Sequence, residues 1–485
     1  MCNPKIIGLT NWGYLILLFT IDHSPLTTHD LFFSKFPSSY RDRDGYIFKH
    51  QEKYYRCIKA SYNDHYQQLM QSGLYNRLVE KRWLLSHTEI TEGFELSETC
   101  SKVILPQQIS LITYPYEWSF LMWQDAALLT LQIAREAVEN GMILKDATPF
   151  NIQFVNGSPI FIDTLSFEKY AGEKPWVAYR QFCECFLAPL LLQKYCHAET
   201  GIFFTVYPNG IPLEILISML PKRAKWNLHT YMHIYLQAAI KISKRKDTNT
   251  TKAFSSQKML LLLNGLISYV SKLRVKKAPS TWDNYYSETI LGQKYLQEKT
   301  RLVQSFLETI SFSSMIDLGA NDGHFSLLYK NTDKQIVAVD GDINCINELY
   351  LKIRKHKITN ILPLINTLNT PSPAIGWNNE ERTSFGERIK GDVVLALALS
   401  HHLAITSNIP FELIADYFIS MGKYLLIEFV PKTDEKVQLL LQNRRDIFDD
   451  YTVADFELAF SKKYQILLEE KIPGTDRVLY LMEKI

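Results

Sequence analysis

From about residue 291 to the carboxyl terminus, apolar residues gather in short, nearly unbroken runs, and between the runs they recur every three or four positions. The runs are MIDL (Met315–Leu318), QIVAVD (Gln335–Asp340), NILPLI (Asn360–Ile365), DVVLALALS (Asp392–Ser400) and YLLIEFV (Tyr424–Val430). Helical patterns precede the first run as far as Glu308, resume from Gly323, and return through Lys355 and from Phe411 to Ser420. Runs without strict alternation predict strands buried on both faces, and strands that alternate with helices predict a parallel sheet covered on each side. Two further strands, YQILLEEKI and RVLYLMEKI, are joined by PGTD and end the chain as an antiparallel hairpin. The predicted fold class is α/β: a doubly wound, Rossmann-like, seven-stranded sheet over 291–485 with an antiparallel terminal hairpin.

Residues 31–270 mix strand-like and helical patterns without that rhythm, which predicts a separate α+β domain. The stretch SKLRVKKAPSTWDNYYSE (Ser271–Glu288) turns abruptly basic, then rich in Pro, Ser and aromatic residues, so 271–290 is read as a linker. Two domains suit 485 residues, too many for one ordinary core. Residues 1–30 form an N-terminal extension. Its apolar stretch Ile6–Ile21 is interrupted by Thr10 and Asn11 and is shorter than a membrane span, so neither anchoring nor export is expected.

Composition narrows the partners only slightly. An apolar content of 46%, a charged content of 21% and a net charge of +2 describe a soluble globular chain with no electrostatic footprint for nucleic acid. Seven cysteines, odd in number and scattered, read as reduced thiols of a cytoplasmic protein. Cys183, Cys185, Cys196 and His197 lack a second matching pair, so buried thiols on an apolar helix are expected there and no metal site is predicted.

The chemistry concentrates where the first run ends, in DLGANDG (Asp317–Gly323). Ligands of such sheets lie at the carboxyl ends of the strands, beside the point where strand order reverses, and glycine there lets backbone approach a ligand that a Cβ would exclude. Gly319 and Gly323 bracket the turn, and Asp340 ends the second strand, where a carboxylate accepts both hydroxyls of a ribose. A dinucleotide and S-adenosylmethionine both use such a turn. Asn321 and Asp322 stand where a pyrophosphate seat wants small uncharged residues, whereas a sulfonium and an amino group tolerate nearby acids, which favours S-adenosylmethionine. Asp317, Gly319, Asn321, Gly323 and Asp340 are therefore the expected cofactor-binding residues. His401 and His402 follow the fourth run and Glu428 closes the fifth, at the same rim. An imidazole near its ordinary pKa of about 6.5 suits a base toward an acceptor hydroxyl, and Glu428 suits a hydrogen bond to that hydroxyl. The plainer alternatives are a hydrogen-bonded wall for the histidines and a loop cap for Glu428. Trp282 and Tyr285 are candidates to lie over the sulfonium, or to pack at the domain junction.

These residues resemble those of the class I S-adenosylmethionine-dependent methyltransferases over roughly Trp282 to Ile485. DLGANDG resembles their first motif with Asn321 in place of the middle glycine, and VAVDGD resembles their second, which carries the ribose contact onto Asp340. Where such enzymes often set an acid against the adenine amine, INTLNTPSP offers Asn366 and Thr367, and Asn366 is the expected contact. More narrowly, PSPAIGW, LALALSHHLAI, IEFVPK and DIFDDY resemble a group of long bacterial methyltransferases of a nodulation-protein-like type. The resemblance implies a seven-stranded methyltransferase sheet, S-adenosyl-L-methionine as cofactor, and methyl transfer to an acceptor it does not fix. The hydroxyl of a sugar or small metabolite is favoured.

LKDATPFNIQFVNGSPIFIDTLSFE (Leu144–Glu168) carries a second pattern. Asp146, Asn151 and Asp163 are spaced like the catalytic-loop Asp, its Asn and the metal-binding Asp that kinase-like phosphotransferases show. YIFKHQ, YYRCIKA with Lys59, a helix with Glu80, strand-like ISLITYPYEWS and the helix DAALLTLQIAREAVENG follow the order of small lobe, hinge and large-lobe helix. LKD replaces His-Arg-Asp, DTL replaces Asp-Phe-Gly, and no glycine-rich lid precedes Lys59. One reading is a phosphate and metal site in which Lys59, Asp146, Asn151 and Asp163 hold ATP and magnesium. The other is a domain that recruits the acceptor, with Asp146 and Asn151 capping local turns. The missing lid, whose amides would cover the phosphates, favours the second.

Overall fold

The computed structural model describes residues 34–35, 37–91, 100–170, 172, 174–197, 201–239, 254–277, 293–442 and 444–485. The N-terminal extension and the linker beyond residue 277, with Trp282 and Tyr285, lie outside the described residues.

The first half opens with a five-stranded antiparallel sheet made of β1 (Ser34–Lys35), β2 (Gly45–His50), β3 (Lys53–Lys59), β4 (His87–Ile90) and β5 (Cys100–Pro106), in the order β1-β2-β3-β5-β4. Two short helices, α1 (Asn63–Gln71) and α2 (Leu74–Glu80), join β3 to β4. The sequence reading of ISLITYPYEWS as a strand is corrected: it carries only a 3-10 turn, Pro115–Glu117. Pro115 has no N–H for a ladder, and Glu117 bonds back to the Tyr114 N–H at 3.1 Å. The long helix α3 (Phe120–Glu139) is apolar almost all round because it is wrapped on every side. Beyond it, β6 (Met142–Leu144) pairs with β9 (Phe167–Lys169), and β7 (Ile152–Val155) with β8 (Ser158–Phe161). Helix α4 (Ser256–Ser271) packs along α3, where the Gln124 amide donates to the carbonyls of Val270 and Leu273.

Pairing of β3 with β5 joins Cys57 and Cys100 in a disulfide, with their Cα atoms 5.8 Å apart. The expectation that all cysteines are reduced is corrected for this pair. The two lie 43 residues apart and meet only through the ladder. Cys183, Cys185 and Cys345 are buried, and burial pushes the Cys183 and Cys185 thiols up.

The second half is a seven-stranded sheet of β10 (Ser314–Leu318), β11 (Gln335–Asp340), β12 (Ile361–Ile365), β13 (Gly391–Ala396), β14 (Gly422–Phe429), β15 (Tyr464–Lys471) and β16 (Val478–Lys484). Their order is β12-β11-β10-β13-β14-β16-β15, parallel except for β16. Alternate residues of each strand fill two separate cores. Ile316, Val337, Val394 and Leu425 serve one face, and Met315, Ile336, Val393 and Leu426 serve the other. Helices α5 (Gln293–Glu308) and α6 (Ile343–His356) cover one face, while α7 (Phe411–Ile419) and α8 (Val453–Ser461) cover the other. Strand order reverses between β10 and β13, which opens a crevice at their carboxyl ends. The helix read from Gly323 is also corrected. The chain turns through 321–325 and makes only the 3-10 turn Ser326–Tyr329.

The halves meet along α3 and α6, where the Tyr350 hydroxyl donates to Asp125 at 2.8 Å and Arg354 pairs with the same carboxylate at 3.3 Å. The segment between β12 and β13 supplies the rest of the contact. Its Arg388 pairs with the buried Glu117, Glu381 with Arg41 at 2.8 Å, and Arg382 lies over Phe150.

Candidate cofactor site

At the end of β10 the backbone enters the left-handed region three times, at Gly319 (φ 76°), Asn321 (φ 51°) and Gly323 (φ 83°). Asparagine is among the few non-glycine residues that tolerate this region, which explains why it replaces the middle glycine. A Cβ on Gly323 would lie 2.5 Å from Leu349 of α6, so the turn is pressed onto that helix. The Gly319 and Ala320 N–H groups both donate to the Val339 carbonyl at 2.8 and 2.9 Å, pinning the turn against β11.

Asp340, at the end of β11, accepts the Asn321 N–H and the Asp342 N–H, both at 2.8 Å. Burial pushes its carboxyl up while those backbone donors act against the shift. Asp317 lies deeper and accepts the Ser326 hydroxyl at 2.7 Å. Burial raises it to about 6, the Asp340 charge adds to the rise, and Ser326 and Lys299 oppose it. Asp322 does not face the crevice as expected. It pairs with Lys352 of α6 at 2.7 Å, so the argument against a pyrophosphate moves from that acid to the backbone. A pyrophosphate seat uses the N-terminus of a full helix, and here only a 3-10 turn follows.

Asn366 sits beside Asp340, its N–H bonded to the Asp340 carbonyl at 3.0 Å. Its amide nitrogen donates to the Ser372 hydroxyl at 2.6 Å, and its buried Oδ1 has no partner. Ser372 also acts, with Arg388, against the burial-driven rise of the Glu117 carboxyl; Glu117 belongs to the first half and takes Arg388 and the Tyr114 N–H. The structure thus brings Asp317, Gly319, Asn321, Gly323, Asp340 and Asn366 onto one rim.

The residues expected at the acceptor side divide. His401 and His402 lie together, ring centroids 4.1 Å apart, with His401 buried and His402 half-buried. The expectation of an ordinary imidazole pKa is corrected. Burial, with Arg477 adding to it, pushes His402 down to about 4, and burial pushes His401 well below its usual value. Neither His401 ring nitrogen has a partner. Glu428 does not line the rim. It is fully buried, paired with Lys299 at 2.6 Å and Arg477 at 3.2 Å, and it accepts the Tyr295 hydroxyl at 3.0 Å. Arg477 also grips Asp434 with two hydrogen bonds of 2.7 and 3.0 Å. Burial would raise the Glu428 carboxyl, but the two cations outweigh it and hold it down. This network escaped the sequence reading because it joins α5 to the β15–β16 turn. A visible trace was Lys299 itself, a charge on the apolar stripe of Tyr295, Leu302, Val303 and Phe306.

In the first half, Asp146, Asn151 and Asp163 do converge, but they are already partnered. Asn151 donates to Asp146 at 3.2 Å and to Ser166 at 3.3 Å, Gln181 donates to Asp146 at 2.6 Å, and Ser166 bonds Asp163. Lys59 is not with them. Its ammonium is exposed and donates to the Arg43 carbonyl at 3.0 Å, and Glu80 is exposed as well. The cation that meets Asp163 is Arg56, also paired with Asp42 at 2.5 Å. Period-two alternation places Arg56 on the same side of β3 as Ile58, and a bulge after Ile58 displaces Lys59. Among the described residues, no three His, Cys or carboxylate groups are placed to hold a metal ion.

A parallel sheet reversed between its first and fourth strands, an antiparallel strand inserted beside the fifth, a glycine-type turn and an acid on the next strand give the doubly wound, seven-stranded arrangement expected from the sequence. The chain belongs to the family of nodulation protein NoeA. It is 32% identical to that protein from Rhizobium meliloti (strain 1021) over 462 residues, which span 92% of this chain and 95% of the relative, and so include both halves. No protein-family model matches the chain. Among solved structures, it is similar to the N-methyltransferase NodS of Bradyrhizobium japonicum WM9 in complex with S-adenosylhomocysteine (10% identity, 42% of this chain, 93% of that chain, TM-score 0.32). It is likewise similar to the magnesium protoporphyrin IX methyltransferase ChlM of Synechocystis PCC 6803 (13% identity, 42% and 93%, TM-score 0.30).

Proposed function

We propose that the chain transfers the methyl group of S-adenosylmethionine to the hydroxyl of a sugar or small metabolite, with the cofactor held along the rim from Asn366 past Asp340 to the Asp317–Gly323 turn. The observation that carries this reading is the buried, unpartnered Oδ1 of Asn366 next to Asp340. A buried acceptor without a donor costs about 1–3 kcal/mol, so the site favours a ligand that brings an N–H there, as the amine of adenine does. Glu117 fixes which end of the amide faces the ligand. As a carboxylate it only accepts, so the Ser372 hydroxyl donates to it and must accept from the Asn366 nitrogen, leaving Oδ1 outward. Glu117 and Ser372 are positioning residues for the adenine contact.

Bound there, S-adenosylmethionine supplies a methyl group activated by its sulfonium. The chain's part is to orient the acceptor and keep water out. His402 is the group proposed to take the acceptor's proton, with His401 behind it. The test is a screen for metabolites that gain one methyl group in cells expressing the protein but not in cells expressing Asp340→Asn. Equal profiles in the two would remove the assignment.

The order of its five strands and the convergence of Asp146, Asn151 and Asp163 support a kinase-like framework for the first half. We read it as an acceptor-recruiting domain, because each of those side chains is bonded within the protein and the lid position carries Asp42 and Asp44, acids that would repel a triphosphate. The alternative, ATP and magnesium on these residues, requires Arg56 to release Asp163.

A further inference from the structure

Between Glu214 and Asp247 the sequence carries seven lysine or arginine residues and no acid. Within that stretch the structure shows a 3-10 turn, Lys222–Trp226, followed by helical turns over 228–239 capped by the Asn227 side chain. The amphipathic pattern of these turns is reversed. Their inward face is partly polar, with the Thr230 hydroxyl bonded to Tyr269 and His233 bonded to Tyr179, both at 2.7 Å. Their outward face presents Leu228, Tyr231, Met232 and Leu236, with Trp226 beside them. Trp226 is 89% exposed and Leu228 66%. Single exposed apolar side chains are ordinary, but five on one surface mark a covered one.

We infer that this face docks the protein onto an anionic membrane surface. Three observations point to a bilayer and not to a protein. The exposed residues include Trp and Tyr, whose amphipathic rings settle at the level of lipid headgroups. Lys222, Arg223 and Lys225 flank them in the exposed position from which long basic side chains reach lipid phosphates. The Lys225 ammonium lies 5.1 Å from the Tyr235 ring, and Tyr235 is stacked on Tyr231, which ties charge and apolar surface into one patch. No helix among the described residues is long and apolar enough to cross a membrane, so the docking is peripheral.

The experiment is co-sedimentation of the full chain with vesicles of phosphatidylcholine alone or containing one quarter phosphatidylglycerol, at low and high salt. Binding is expected to the anionic vesicles, to weaken on raising the salt, and to be at least about tenfold poorer on phosphatidylcholine alone. The double substitution Trp226→Ser with Leu228→Ser is expected to weaken binding at least about tenfold, and Lys222→Glu with Arg223→Glu more than that, since each lost basic residue accounts for about fivefold. All four positions are exposed, so melting temperature and S-adenosylhomocysteine binding should be unchanged, which separates lost docking from lost folding. Equal sedimentation of wild type and both variants, or no binding to anionic vesicles, overturns the inference. So does a dimer in solution that the Trp226→Ser, Leu228→Ser variant dissociates, because the face would then be an interface between copies.

Discussion

The two halves hold comparable sets of acids and amides, and they differ in how completely those groups are satisfied. Around Asp163 the acids and amides are bonded inside the protein, though the Nε of Arg56 is not: Arg56, Ser166 and the Leu165 N–H take the carboxylate, and Gln181 and Asn151 take Asp146. Along the rim of the second sheet the acids and the turn are bonded too, Asp340 by two backbone N–H groups and the Gly319, Ala320 and Gly323 N–H groups by carbonyls, but Asn366 Oδ1 and both nitrogens of His401 are buried without partners. Folding does not ordinarily leave buried polar atoms unbonded, so the unsatisfied atom of Asn366 beside Asp340 at the carboxyl end of its strand suits a ligand, while a set of acids and amides bonded to one another suits a structural role.

The largest effect that sharpens this contrast is on stability. Asp163→Ala removes a carboxylate from a nearly buried ion pair and leaves Arg56 with Asp42 alone, so the protein should lose about 3 kcal/mol by denaturant unfolding while S-adenosylhomocysteine affinity is unchanged. A loss of cofactor affinity with unchanged stability would reverse the assignment of the two regions.

Acid titration comes next. The folded-state pKa of His402 is depressed to about 4, so its contribution to stability is present above about 6.5 and is lost as pH falls toward 4, where the unfolded chain takes up the proton. His402→Gln should flatten that slope by about 2 kcal/mol. Asp317, raised to about 6, acts in the opposite sense, its contribution being lost as pH rises through that value. If the acid slopes of wild type and His402→Gln coincide, the imidazole is not held in a dehydrated wall.

Smaller still is the amide relay. Ser372→Ala should weaken S-adenosylhomocysteine binding by about 1 kcal/mol. Glu117→Gln frees the Ser372 hydroxyl to donate to Asn366, and should narrow the preference for S-adenosylhomocysteine over its inosine analogue, which presents a carbonyl where adenine presents an amine. An unchanged ratio in both variants would dismiss the relay. Least of all, ATP with magnesium should not shift the melting temperature of the full chain, and stabilisation that Asp163→Asn abolishes would restore the phosphotransferase reading.

The sequence exposed the parts of this contrast that are local. Strand ends, the turn from Gly319 to Gly323 and Asp340 follow one another within a few dozen residues, and the apolar runs mark where each strand stops. Even the exception was legible, since Asn321 stands where a left-handed residue is needed. What sequence could not show is whatever depends on register or on long closures. Lys59 is the cation the sequence pattern suggests, and Arg56 meets Asp163 in its place because a bulge in β3 is invisible in composition. Glu428 looked available because Lys299 and Arg477 come from elements far away in the chain. The Glu117 to Asn366 relay crosses between the halves.

On the proposed function the rim is the cofactor site and Asp340 holds the ribose. Calorimetric titration of the full chain with S-adenosylhomocysteine, beside the same titration of Asp340→Asn, tests it most directly. Saturable binding to one site per chain is expected, weakened at least about fivefold by the substitution, which corresponds to the loss of about 1 kcal/mol from one charge-assisted contact. No binding to the wild type, or equal affinity in the variant, would contradict it.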